Sequence, residues 1–133
     1  MITAFDTDVL IYAAAEGHPL GARIIELFQN ERGTRIGSVL LLTEVLAKPL
    51  RDHPESAEAA SLISLLSRLE LRPLDEPTSR LTLALAVRYS LRAVDASHLA
   101  TAIAAGADRF LTNNRKDFPQ TITEIEIVYP DEL

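Results

Sequence analysis

The chain has 133 residues, of which 47% are hydrophobic and 24% charged, and its formal net charge at pH 7 is −6. This length and apolar content fit one globular domain spanning residues 1–133 and argue against wholesale disorder. The lack of cysteine excludes disulfides, zinc–thiolate sites and thiol nucleophiles. The negative charge disfavours a protein that coats nucleic acid through bulk charge.

The first apolar stretch is too short and too interrupted for a targeting or membrane segment. Asp6 and Asp8 break it, and no basic region precedes it. No apolar run in the sequence approaches the roughly 20 residues that cross a bilayer. We therefore expect a soluble protein of the cytoplasm with no membrane partner.

Apolar runs and helical spacing alternate along the chain. The predicted elements are a strand at 2–5, helices at 9–15 and 20–30, a strand at 35–37, helices at 39–48 and 55–69, a strand at 69–73, helices at 77–90 and 95–105, and strands at 109–112 and 125–129. Ser38 is the expected N-cap of the helix at 39–48 and Pro49 its end. This alternation predicts a three-layer α/β/α fold with a mostly parallel sheet of about five strands.

Four acidic residues lie at the ends of predicted strands or in predicted helices beside the sheet. Asp6 and Asp117 come after strands, Asp95 opens a helix beside the sheet, and Glu44 lies in a nearly all-apolar helix that we expect to be buried. In open α/β sheets, ligands bind in the crevice outside the carboxyl ends of the strands, so all four side chains are expected to converge there.

Each acid also has a local explanation. Asp95 and Asp8 are plausible helix N-caps, whereas Asp6 precedes the expected helix start and has no such role. Glu44 is equally well explained as a polar edge that faces solvent.

Clustered carboxylates favour a divalent cation. Without one, their mutual repulsion would keep some of them protonated. Mg²⁺ takes oxygen ligands and leaves positions open for phosphate oxygens. Such an ion lowers the pKa of its water and polarises a phosphodiester, so no nucleophilic side chain is needed.

Four sequence blocks, at residues 6–12, 38–45, 94–102 and 106–118, resemble PIN-domain ribonucleases and in particular the VapC-like toxins of bacterial toxin–antitoxin pairs. The resemblance runs from about residue 2 to residue 118. It implies a PIN-like fold, Mg²⁺ or Mn²⁺ as cofactor and endonucleolytic cleavage of RNA. It also implies a homodimer and a small antitoxin partner.

The resemblance assigns roles to the acids. Asp6, Glu44 and Asp95 match the family's first three catalytic acids, and Asp117 is the nearest acid to the fourth position, which many members place where Asn114 stands. It implies that Asp6, Asp95 and Asp117 bind the metal and that Glu44 orients the nucleophilic water.

Further residues near these blocks have supporting roles. Asp8, where the family often has Asn or Ser, is either an extra ligand or a helix cap. Thr112 and Asn114 are expected to orient water or phosphate by hydrogen bonds. The expected phosphate contacts are Arg92, Arg115 and Lys116, and His98 is expected to pack within its helix or at a dimer contact.

Two other readings compete with the ribonuclease. The first is a haloacid-dehalogenase-type phosphatase, in which Asp6 and Asp8 would be nucleophile and general acid; it leaves Glu44 unexplained and lacks a suitably placed lysine. The second is a non-catalytic PIN-like domain used only for protein contact, in which the acids would bind no metal.

Overall fold

Parallel strands form the centre of the computed structural model, which describes residues 1–30 and 32–133. The strands in this part of the chain are β1 (Ile2–Phe5), β2 (Thr34–Ser38), β3 (Glu70–Arg72), β4 (Arg109–Leu111) and β5 (Glu126–Val128). The helices are α1 (Thr7–Ala14), α2 (Gly21–Gln29), α3 (Leu41–Asp52), α4 (Ala57–Ser67), α5 (Glu76–Tyr89) and α6 (Ala93–Ala104), followed by a 3₁₀ turn at Pro130–Glu132. The predicted α/β/α fold is confirmed, and every pair of neighbouring strands is parallel.

The strand order is β3-β2-β1-β4-β5. The chain builds outward from β1 to β3 on one side of the sheet and then continues from β4 to β5 on the other. The adjacent strands β1 and β4 therefore form the topological switch point, at whose carboxyl edge open α/β sheets bind ligands. Register is fixed there by Ala4, which is paired with Ile36 on one side and Phe110 on the other.

Each face of the sheet packs against its own helical layer. Ala4 and Phe110 belong to the core formed with α5 and α6, whereas the next residues, Phe5 and Leu111, belong to the core formed with α1 to α4. Successive side chains of a strand point to opposite faces, so both faces of this parallel sheet are covered by helices.

The helix after β2 differs from the sequence prediction. Ser38 is the last residue of β2, and α3 continues through Pro49 to Asp52. Proline removes only its own N–H from the helix ladder, and the N–H of His53 still donates to the Pro49 carbonyl oxygen at 2.8 Å. The expectation that this helix is buried is also wrong, because only Leu41 and Val45 are buried on it.

The helices are short and leave some apolar surface exposed. Leu83 and Val87 lie one turn apart on α5, and they are 67% and 75% exposed. Within residues 1–30 and 32–133, no helix combines the length and apolarity required to span a bilayer.

Candidate functional site

Asp6 occupies the junction between β1 and α1. Its Oδ1 accepts a hydrogen bond from the backbone N–H of Thr7 at 2.8 Å, which makes Asp6 the N-cap of α1. Its Oδ2 accepts a hydrogen bond from the Thr112 hydroxyl at 2.7 Å. The prediction that Asp8, and not Asp6, caps this helix is therefore wrong, because the helix begins earlier than the apolar pattern indicated.

Asp8 lies in the first turn of α1 and reaches the loop after β4. Its Oδ2 accepts a hydrogen bond from the backbone N–H of Asn113 at 3.0 Å, and its Oδ1 is buried without a hydrogen-bond partner among the described residues. Burial, and then the charge of Asp6, raise the pKa of the Asp8 carboxyl to about 7. Asp8 therefore ties the first helix to this loop, and its role as an extra metal ligand stays a prediction.

The loop after β4 positions two of the acids. The side chain of Thr112, which is fully buried, donates to Asp6, and the Thr112 hydroxyl oxygen accepts from the backbone N–H of Asn114 at 3.1 Å. The Asn114 amide donates to Asp117 Oδ2 at 2.9 Å. Thr112 and Asn114 thus donate hydrogen bonds to Asp6 and Asp117, and the expectation that they orient water or phosphate stays a prediction.

Glu44 reaches the same edge of the sheet from the first turn of α3. Its Oε1 accepts a hydrogen bond from the Thr7 hydroxyl and lies 3.1 Å from His98 Nε2. These hydrogen bonds, that from His98 foremost, lower the pKa of the Glu44 carboxyl. The side chain of Glu44 is 32% exposed, whereas that of His98 is fully buried. Glu44 is thus both solvent-facing and partnered, a combination that neither sequence reading described.

His98 has a polar contact that the sequence does not predict. The sequence predicts only helix packing or a dimer contact for His98, yet it contacts Glu44, which lies 54 residues away in the sequence. The available signal was its position one turn after Asp95 on the same helix, because residues three apart share a helix face.

Asp95 lies in the first turn of α6, whose N-cap residue is Arg92, so the interpretation of Asp95 as an N-cap is wrong. Burial raises the pKa of the Asp95 carboxyl, and the negative charges of Asp6, Asp117 and Glu44 raise it further. Burial also raises the pKa of Asp6 against the effect of its hydrogen bonds. We call Asp6, Glu44, Asp95 and Asp117 the acidic cluster, because each of the other three acts electrostatically on Asp95.

The basic residues near the acidic cluster differ in whether their charge is paired with an acidic side chain. Arg115 forms an ion pair with Asp131 at 2.8 Å, and its guanidinium lies 4.3 Å from the centre of the Tyr129 ring. The charge of Arg115 is thus paired with Asp131 in the C-terminal turn, and its expected contact with a phosphate stays a prediction. Arg92 and Lys116 are exposed and form no ion pair within the described ranges.

The donor set of the acidic cluster fits a hard divalent cation. It consists of carboxylate oxygens, and repulsion among them already hinders the ionisation of Asp95. Among residues 1–30 and 32–133, no three His, Asp or Glu side chains are close enough together to form a complete metal cage. Mg²⁺ does not require one, because it keeps several waters and binds through one or two carboxylates.

The sequence model of the PIN domain matches residues 4–122, so the chain belongs to the PIN-domain family, whose members are usually metal-dependent ribonucleases. This membership excludes the haloacid-dehalogenase reading. No curated protein matches the chain.

Solved structures with a similar fold include VapC-type toxins and their complexes with antitoxins. VapBC2 from Rickettsia felis, bound to a promoter DNA fragment, aligns with a TM-score of 0.77 at 22% identity, over 97% of this chain and 98% of that chain. A toxin–antitoxin complex from Klebsiella pneumoniae gives 0.76 at 24%, over 98% and 99% of the two chains. VapC20 from Mycobacterium tuberculosis, described as a sarcin–ricin loop cleaving toxin, gives 0.69 at 15%, over 93% and 98%. At these identities the likeness shows the fold alone.

Proposed function

We propose that the protein is a Mg²⁺- or Mn²⁺-dependent endoribonuclease that hydrolyses RNA phosphodiester bonds as the toxin of a toxin–antitoxin pair. The observation that supports this most is the acidic cluster at the switch point of the sheet. Its members come from four separate places along the chain, yet the pKa of Asp95 responds to all of the others. Perturbed titratable groups gathered in a ligand-binding crevice are typical of catalytic sites.

The acids of the cluster would have two different roles, metal binding and orientation of the attacking water. Asp6 and Asp95 would be the principal ligands of the ion, and Asp117 would contribute directly or through water. When bound, the ion lowers the pKa of water and neutralises charge at the phosphodiester. Thr112 and Asn114 fix the orientation of Asp6 and Asp117 by hydrogen bonds. Glu44, whose pKa is lowered, is ionised at neutral pH and orients the attacking water.

Substrate binding would use the exposed cations beside the cluster. Arg92 is the N-cap of α6, three residues before Asp95, and Lys116 precedes Asp117 in the loop after β4. Phosphate contacts of this kind position a strand without reading its sequence, and they make binding sensitive to salt.

An antitoxin would bind in the groove between α1, α3 and α4. The groove has a volume of about 390 Å³, and its apolar lining includes Ile11, Val45 and Leu62. Because Glu44 forms part of its wall, an apolar segment seated there would also obstruct the acidic cluster. The homodimer stays a prediction; the exposed side chains of Leu83 and Val87 are the apolar surface that it would bury.

Cleavage of a mixed-sequence RNA by purified protein tests the proposal. We expect cleavage with Mg²⁺ or Mn²⁺, none in EDTA, and none from Asp6→Asn or Asp95→Asn, with circular dichroism spectra unchanged. The matched control is Glu26→Gln, which removes a charge from the exposed surface of α2 and should cleave like wild type. Undiminished cleavage by either site variant would contradict the assignment. A wild-type protein that neither cleaves RNA nor binds Mn²⁺ would favour the contact-domain reading.

A further inference from the structure

His98 is a buried residue whose imidazole ring has polar neighbours at only one of its two nitrogens, among the described residues. Its side chain is fully buried on α6, and its Nε2 faces the Glu44 carboxylate at 3.1 Å. The hydroxyl of Thr7 lies 3.4 Å from the same nitrogen. The imidazole therefore meets the acidic cluster only through Nε2.

The surroundings of the ring decide which nitrogen carries hydrogen. Nδ1 is buried and has no hydrogen-bond partner among the described residues. A hydrogen on Nδ1 would leave a buried donor unpaired, which costs about 1–3 kcal/mol. We therefore assign the tautomer with hydrogen on Nε2, where it donates to the Glu44 carboxylate.

Two donors then fix one oxygen of Glu44. Oε1 accepts from both Thr7 and His98, whereas within the described ranges no hydrogen bond is formed to Oε2. A surface glutamate normally samples several rotamers, and two convergent donors select one of them. The selected rotamer leaves Oε2 as the oxygen available to a reacting group.

We propose that His98 is a positioning residue, which holds the carboxylate of Glu44 in its working orientation by donating a hydrogen bond from Nε2. The proposal rests on the proposed function, because it gives Glu44 its task. His98 does not touch the substrate and is not itself a base. Residues that orient the ligands of metal sites typically contribute about 10–100-fold to activity or metal affinity.

The pairing is tested without activity, by ¹⁵N-edited NMR of the imidazole rings in the metal-free protein. We expect His98 to show the Nε2–H tautomer and its ring resonances to move in Glu44→Gln. The resonances of His18, which stacks on Tyr12, serve as the internal control and should stay in place. The Nδ1–H tautomer, or His98 resonances that ignore Glu44→Gln, would overturn the pairing.

The positioning role is tested by two amide replacements of nearly equal polarity. His98→Gln places an N–H close to the position of Nε2, whereas the shorter His98→Asn cannot reach Glu44. We expect His98→Asn to lower kcat about 10–100-fold with little change in KM, and His98→Gln to retain most of the activity. Thr7→Val, which leaves the core intact, should lower kcat in the same way.

The outcomes separate the two proposals. If wild type cleaves RNA and both His98 variants lose kcat equally, or lose only thermal stability, His98 is merely structural and this inference is wrong. If wild type cleaves no RNA, the proposed function fails together with the kinetic role of His98, while the NMR result still decides the pairing.

Discussion

Asp8 gives the metal-free protein a stability that depends on pH. Burial, and then the charge of Asp6, raise the pKa of its carboxyl from 3.8 to about 7 in the folded chain. The folded state thus binds this proton more tightly than the unfolded state does. Asp8 therefore contributes stability that is fully present below the unfolded pKa and is lost as the pH rises through about 7.

The size of the effect follows from the difference in pKa. A pKa difference of one corresponds to about 1.4 kcal/mol, so ionising Asp8 in the folded state costs about 4 kcal/mol well above its pKa. Between about pH 5 and about pH 8 the part that changes is about 2–3 kcal/mol. Because the Asp8 side chain is partly exposed to solvent, the expected change in the free energy of unfolding is lowered to about 2 kcal/mol. Asp8→Asn removes the titration, and its amide oxygen can still accept from the Asn113 N–H.

Urea unfolding of both proteins in EDTA, followed by circular dichroism, measures this difference. We expect the free energy of unfolding of Asp8→Asn minus that of wild type to be larger by about 2 kcal/mol at about pH 8 than at about pH 5, which means that the variant gains stability relative to wild type as the pH rises. Any fixed cost of the new amide cancels in this comparison. Asp52→Asn, at the exposed end of α3, is the matched control for the loss of one carboxyl group. An Asp8→Asn difference that is equal at the two pH values would refute the reasoning.

Further predictions address packing, positioning and substrate binding. Gly21→Ala should lower the free energy of unfolding by about 1–3 kcal/mol in thermal denaturation, because a Cβ there would lie 2.7 Å from the Tyr12 carbonyl oxygen. Gly33→Ala, whose Cβ would meet nothing nearer than 3.5 Å, is the control. Thr7→Ser should keep the kcat that Thr7→Val loses, since it retains the hydroxyl donor to Glu44. Lys116→Gln should weaken RNA binding and its salt dependence in filter-binding assays more than Arg115→Gln, whose charge is already paired.

The sequence predicted the sheet well because its signals are local. β1 is a short apolar run with polar neighbours, and β1, β2 and β3 are each followed by residues at helical spacing. The alternation that defines a parallel α/β fold could therefore be read directly. Helix ends were harder to predict. Asp6 and Asp8 offer the same capping chemistry two residues apart, and only the hydrogen bond to the Thr7 N–H distinguishes them.

The site could be predicted in outline, because strand topology brings the carboxyl ends of β1 and β4 together. Its finer contacts depend on side chains that are far apart in the sequence. The pairing of His98 with Glu44 and that of Arg115 with Asp131 have no local pattern. The exposure of α3 was missed for a related reason, because an apolar composition does not tell how much of a helix its neighbours cover.

The central claim is that the acidic cluster binds a divalent cation at the switch point of the sheet. Anomalous diffraction from a crystal soaked in Mn²⁺ tests this most directly, because it locates the ion and its ligands together. We predict a peak within about 2.0–2.2 Å of carboxylate oxygens of Asp6 and Asp95, with Asp117 bound directly or through water. Full Mn²⁺ loading that leaves this cleft without a peak, with ions only at other acidic residues, would contradict the account.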